Sequence, residues 1–187
     1  MNRRRLIPLL IAGKLALLAA LVLPPLGSAE TPAAATDVPA AITTFQRASG
    51  GDDSAIGPAA AQLTALSRSQ PSDPLLLAYA GAATSMQART TWLPWRKMGY
   101  AEDGLAQIDK ALALLTPAHD TLLHRNVPVA LETKLTAAGT FVALPSMFHR
   151  GERGRRLLDE VMKHPAYAST PAAFQDAARK IAAKAAP

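Results

Sequence analysis

The chain of 187 residues contains no cysteine, and its aromatic side chains number only two Trp, three Tyr and four Phe. The missing cysteine excludes a disulfide framework, a Cys-ligated zinc or iron–sulfur centre, a thiol nucleophile and a lipid-modified Cys anchor. β-Branched residues are scarce as well, with Val and Ile together occurring 12 times against 40 alanines. Alanine is the best helix former and β-branched residues are what strands favour, so this imbalance predicts an all-α fold. No stretch shows the sustained alternation of a half-buried strand. Nucleophile-elbow, zincin, Walker and EF-hand patterns are absent too, which removes the motif-borne chemistries.

Charge is what the chain has in excess, at 20 Lys+Arg against 14 Asp+Glu and a formal net charge of +6. Taken alone, that balance points to nucleic acid or an anionic membrane. Four of the cations, however, sit in residues 1–29 with no acid beside them: Arg3, Arg4, Arg5 and Lys14. The three arginines form a positive start, Leu6 to Leu23 is apolar apart from Gly13 and Lys14, and Pro24-Pro25 follows. Gly27-Ser28-Ala29 then offers a small-residue cleavage site before Glu30, so residues 1–29 read as a secretory signal. The rival reading is an uncleaved N-terminal anchor in the inner membrane. Cleavage lowers the net charge to +2, removes the case for nucleic acid and leaves no integral membrane segment. A periplasmic or secreted location is expected.

Residues 30–37 read as a flexible N-terminus of the mature chain, and residues 38–187 as one helical domain. Apolar residues recur at helical spacing: Val38, Ala41, Ile42 and Phe45, then Ile56, Ala59, Leu63 and Leu66. Asp73-Pro74 supplies an N-cap and a first-turn proline for a third helix burying Leu75, Tyr79, Ala82, Ala83 and Met86. The clearest pattern is Met98, Ala101, Leu105, Ile108, Leu112 and Leu115, a helix of about five turns stopped by Pro117. A further helix is predicted from about His119, kinked or restarted at Pro128, and continuing through Leu131, Leu135, Ala138, Phe141 and Val142. Leu157, Leu158, Val161 and Met162 mark the next, and Thr170-Pro171 caps the last with Phe174, Ala178, Ile181 and Ala185 inward. Single apolar stripes of this kind are buried either in stacked helical hairpins or in a compact bundle.

Ala78, Ala80, Gly81 and Ala82 around Tyr79, and the ending Lys110-Ala111-Leu112-Ala113-Leu114-Leu115-Thr116-Pro117, resemble a tetratricopeptide-like unit. The resemblance covers about residues 73–163. It departs from the standard repeat in the long Arg89–Lys97 connection, where Trp92-Leu93-Pro94-Trp95 is similar to a connector of some exported bacterial helical proteins. The resemblance implies antiparallel hairpins stacked as a short solenoid, and a non-enzymatic scaffold that binds another protein or peptide. It implies no cofactor.

The histidines His119, His124, His149 and His164 lack metal-ligand spacing. On one helix His119 and His124 would lie about 140° apart, so no metal site is expected. Asp52-Asp53, Glu102-Asp103 and Asp159-Glu160 diverge by about 100° per residue on a helix and read as solvated charges rather than acid–base pairs. Two segments carry the binding expectation. Trp92, Trp95, Arg96, Lys97 and Tyr100 gather both tryptophans with two cations, a composition suited to interfaces, but in a chain this poor in aromatics the indoles are expected first to fold back and plug the gap between two hairpins. His149, Arg150 and Arg153 belong to a basic run, Arg150 to Arg156, that could meet an acidic partner, touch a membrane surface peripherally, or bond carboxylates of its own chain.

The leading expectation is thus an exported protein-interaction module. The alternative is a small-ligand-binding protein with a pocket between hairpins near Trp92 and Trp95. An open groove lined by Tyr79, Trp95, Arg96 and Arg150 would favour the first, and a closed apolar cavity the second. An enzyme would require a buried acid beside His124 or His149 in a cleft.

Overall fold

The structure is a computed structural model that describes residues 37–186. The expected signal segment, and all but the last residue of the expected flexible N-terminus, lie outside the described residues. No described helix is long and apolar enough to cross a membrane. Among the described residues the fold is all-α, as composition predicts, apart from one two-stranded hairpin. The helices are α1 (Val38–Ser49), α2 (Ile56–Ser69), α3 (Pro74–Met86), α4 (Pro94–Ala113), α5 (Val129–Ala143), α6 (Gly151–Lys163) and α7 (Ala172–Ala185).

Local chemistry sets most of the boundaries. The Asp73 carboxylate accepts from the N–H groups of Leu75 and Leu76 at 2.8 and 3.0 Å, and Pro74 opens α3 without losing a helical hydrogen bond. Thr170 does not act as the expected cap of α7. Its hydroxyl donates backwards to the Tyr167 carbonyl at 2.7 Å, and Pro171 alone flanks the helix. α4 starts at Pro94, one turn earlier than the apolar pattern indicates, so Trp95, Arg96 and Lys97 lie in its first turn rather than in a loop. It ends at Ala113, leaving Leu115 outside, but its expected inward face of Ala101, Leu105 and Ile108 is buried.

Each helix packs on the next in sequence, and α1, α3, α5 and α7 also pack in succession on one another. α3 is the centre of this order. The sequence predicts a single buried face, whereas every residue from Pro74 to Ser85 is buried. A helix that is apolar all round is the kind that neighbours enclose. Leu75, Leu76, Tyr79, Ala80 and Ala83 join α1 and α2, with the Phe45 and Tyr79 rings edge to face at 4.9 Å. Ala82 faces the second core, built with Leu105, Ile108, Leu131, Leu135, Phe141, Leu158 and Val161. Small residues bring α3 and α4 into backbone contact. A Cβ added to Gly104 would stand 2.4 Å from the Gly81 carbonyl oxygen and 2.8 Å from the Ser85 nitrogen.

The helix expected from His119 does not form. Pro117–Asp120 is a short 3-10 turn, and β1 (Leu123–His124) pairs antiparallel with β2 (Val127–Pro128), Leu123 opposite Pro128 and His124 opposite Val127. Arg125 and Asn126 make the two-residue turn with φ of 50° and 62°, the positive values that a twisted tight hairpin demands of both central residues. Pro128 therefore separates elements instead of kinking one, and α5 starts afresh after it.

Candidate functional site

The hairpin is held by a carboxylate that sequence reasoning passed over. Residues Val129 to Thr133 of α5 are all buried, so Glu132 in that first stretch is enclosed with 4% of its surface exposed. A buried charge is tolerated only when its acceptor positions are filled. The Tyr79 hydroxyl of α3 donates to Oε1 at 2.5 Å, and the Arg125 guanidinium from the hairpin turn bonds the same oxygen. The His124 Nδ1 donates to Oε2 at 2.8 Å, which places the ring proton on that nitrogen. Arg125 also reaches the Tyr79 hydroxyl at 3.3 Å. Burial, reinforced by the neighbouring Glu132 charge, keeps the Tyr79 hydroxyl protonated well above the ordinary phenol range. Partial burial works against the Arg125 charge, but the bond and charge of Glu132 outweigh it and hold the guanidinium above its usual value.

This latch ties one hairpin to two helices. It is also the buried acid beside His124 that an enzyme would need, but neither residue lines the neighbouring groove. His119 and His124 do not share a helix, and no group of His, Asp or Glu among the described residues is placed to hold a metal ion. The His119 Nδ1 accepts from the Thr116 N–H at 2.9 Å, closing the 3-10 turn.

Above the latch the chain forms an open groove of about 390 Å³, lined by Gln70, Pro71, Ser72, Asp73, Pro74, His119, Leu122 and Val129. One wall is the α2–α3 turn, fixed by the Asp73 cap. The other is the stretch entering the hairpin, fixed by the Val129 N–H donating to the Leu122 carbonyl at 2.9 Å. Leu122, which lines it, and the next residue Leu123 each leave 58% of their surface in water. The groove expected along Tyr79, Trp95, Arg96 and Arg150 does not exist, because Tyr79 is buried in the core.

Comparison with protein-family models, with curated proteins and with solved structures finds no match to this chain. Its site is therefore read from its own residues.

The expected binding residues fall into two groups that the fold keeps apart. Trp92 is 82% exposed and Trp95 68%, so the indoles do not plug a gap between hairpins. Arg96 and Lys97 are exposed beside them, and Tyr100 is half-buried one turn further along α4. Neither cation has an acid partner among the described residues. The second group is occupied from within. Arg150 grips Asp109 of α4 through two bonds of 3.1 and 2.8 Å, Arg153 bonds the same carboxylate, and both lie over the buried Phe141 ring. Arg155 and Arg156 pair with Glu152, whose carboxyl the Arg155 hydrogen bond holds below its usual range. His149 is exposed in a left-handed conformation at φ 53° that ends the turn after α5.

The sequence carried signals for the latch only in part. An all-round apolar α5 interrupted by one acid marks that acid as enclosed, yet its partners come from 53, 8 and 7 residues away. The groove has no signature of its own.

Proposed function

We propose that the chain is an exported protein-interaction module, non-enzymatic and without a cofactor, that seats a segment of a partner protein in the groove beside the hairpin. The observation that carries this reading is the open groove of about 390 Å³, lined in part by the exposed Leu122, with the equally exposed Leu123 next to it in the chain. Apolar side chains left in water next to a concave surface with a few fixed polar groups are what a bound segment covers. The Asp73 cap ties down one wall and the Glu132 latch the other, which limits the ordering that binding would require.

The order of helix packing supports a row of hairpins over a compact bundle, and stacked hairpins of the tetratricopeptide-like kind act as scaffolds. Export rests on the Arg3–Arg5 start, the Leu6–Leu23 apolar run and the small residues before Glu30. A photo-crosslinking residue placed at Leu122 in producing cells is expected to trap a discrete protein adduct, and one at the exposed Gln46 on α1 is not. Leu122→Asp with Leu123→Asp is expected to abolish that adduct without lowering the melting temperature. An adduct at both positions, at neither, or unchanged in the double variant would show that the groove is not the interface.

A further inference from the structure

A second surface stands at the opposite end of α3 from the groove. Pro74 lines the groove and Met86 closes the helix, so the thirteen residues of α3 separate the two by about 20 Å. Beyond Met86, the chain turns through Gln87–Arg89 and presents Trp92, Pro94, Trp95, Arg96 and Lys97, all exposed.

This composition goes against what the rest of the molecule does. A chain with so few aromatic residues buries Phe141 and Tyr79 almost completely, yet leaves both its tryptophans, its largest apolar side chains, in water. The cations are equally unaccounted for from within. Arg150, Arg153, Arg155 and Arg156 all meet carboxylates of their own chain, whereas Arg96 and Lys97, like Arg68, Lys110, Lys180 and Lys184, meet none among the described residues, and these two stand beside the exposed tryptophans. They also occupy the first turn of α4, which holds no acid and where the helix field disfavours positive charge. Nothing inside the fold stabilises two tryptophans and two cations in this place.

We infer that the Trp92–Lys97 surface docks the protein on an anionic phospholipid bilayer. The amphipathic indoles enter the headgroup region, and Arg96 and Lys97 pair with lipid phosphates. Indole is the side chain that settles at the boundary between hydrocarbon and water, and adjacent Lys and Arg add attraction to a negative surface. The nearest acids on α4, Glu102 and Asp103, stand about 8–10 Å further along the helix from Lys97 and Arg96, close to one Debye length at physiological salt. Because the described helices include none that spans a membrane, the contact is peripheral. It would leave the groove, at the far end of α3, directed away from the lipid.

The two tryptophans are the only ones in the chain, so fluorescence excited at the red edge, where the three tyrosines do not absorb, reads this surface. Vesicles of phosphatidylglycerol mixed into phosphatidylcholine, titrated into the full chain at low salt, are expected to shift the emission to the blue. They are also expected to expose it to quenching by bromine-labelled acyl chains, and pure phosphatidylcholine to give neither effect. Arg96→Gln with Lys97→Gln is expected to raise the vesicle concentration at half-shift about 30-fold, at roughly 1 kcal/mol for each cation near the surface. An apolar leader at the N-terminus could tether the chain by itself, but a tether does not make the shift depend on residues 96 and 97. No shift with anionic vesicles, or the same midpoint in the Gln variant, overturns the inference. A shift with soluble polyglutamate and none with vesicles overturns it as well, and assigns the surface to an acidic protein.

Discussion

Glu132→Gln is the perturbation that reads most directly on the latch. Glutamine keeps the shape and one acceptor, but it removes the charge and turns the second oxygen into a donor facing the His124 Nδ1–H. Three bonds to a charged acceptor become neutral or are lost. Since a bond to a charged group contributes roughly 1.5–3 kcal/mol and a neutral one about 0.5–1.5, the gross loss is about 3 kcal/mol. Arg125 is 44% exposed and His124 24%, so water recovers part of it and about 2 kcal/mol remains. For a domain of this size that lowers the melting temperature by about 4–8 °C, measurable by circular dichroism. Hydrogen exchange adds a local readout, since the Val129 N–H bonded to Leu122 should lose protection before the helices do. Tyr79 provides an alkaline companion test. Its folded pKa is raised above the ordinary 10.0, so above about pH 10 the unfolded chain releases this proton and the folded one keeps it. The stability it contributes is complete below that pH. Above it, the native chain should lose about 1.4 kcal/mol per pH unit more than Tyr79→Phe does. An unchanged Val129 protection in Glu132→Gln, or parallel alkaline slopes for wild type and Tyr79→Phe, would refute the reasoning.

Gly104→Ala should destabilise by about 3 kcal/mol or more, because its methyl group meets the backbone of Gly81 and Ser85 and must force α3 and α4 apart. Gly99→Ala on the same helix has no atom within 4 Å of the new methyl and should stabilise by about 0.5–1 kcal/mol, so urea midpoints moving in opposite directions check both. Asp109→Asn releases Arg150 and Arg153 from α4. With all three side chains about one-third exposed, a loss of about 1 kcal/mol is expected, shrinking in 1 M salt, and salt-independent melting curves would contradict it.

The parts of the fold legible in the sequence are those where one chemical rule acts locally. The inward face of α4 follows from spacing, and the start of α3 from an acid followed by proline. The hairpin escaped notice because each strand is two residues long and its turn is Arg125-Asn126 rather than the Asn-Gly or Asp-Gly that announces a tight reversal. Arg125 takes the positive φ that the two-residue turn demands, and its guanidinium bonds Glu132, a contact that no local pattern announces. Nor could spacing decide the orientation of Trp92 and Trp95. A connector has no period, so its composition is equally compatible with an inward or an outward indole. The arginine run was divisible only with Asp109 in view, 41 residues earlier.

Enclosure of α3 on all sides has a consequence for how such a chain can change length over time. Helical arrays ordinarily grow or shrink by duplicating or deleting interchangeable units, since any unit with one wet face can end the row. α3 has no wet face from Pro74 to Ser85, so it can never stand at an end. Losing the α1–α2 pair would expose Leu75, Leu76 and Tyr79 to water, and inserting a new pair would need a partner matched to backbone contact at Gly81. The helices on either side of α3 are therefore bound to one another by a helix in the middle that neither can expose.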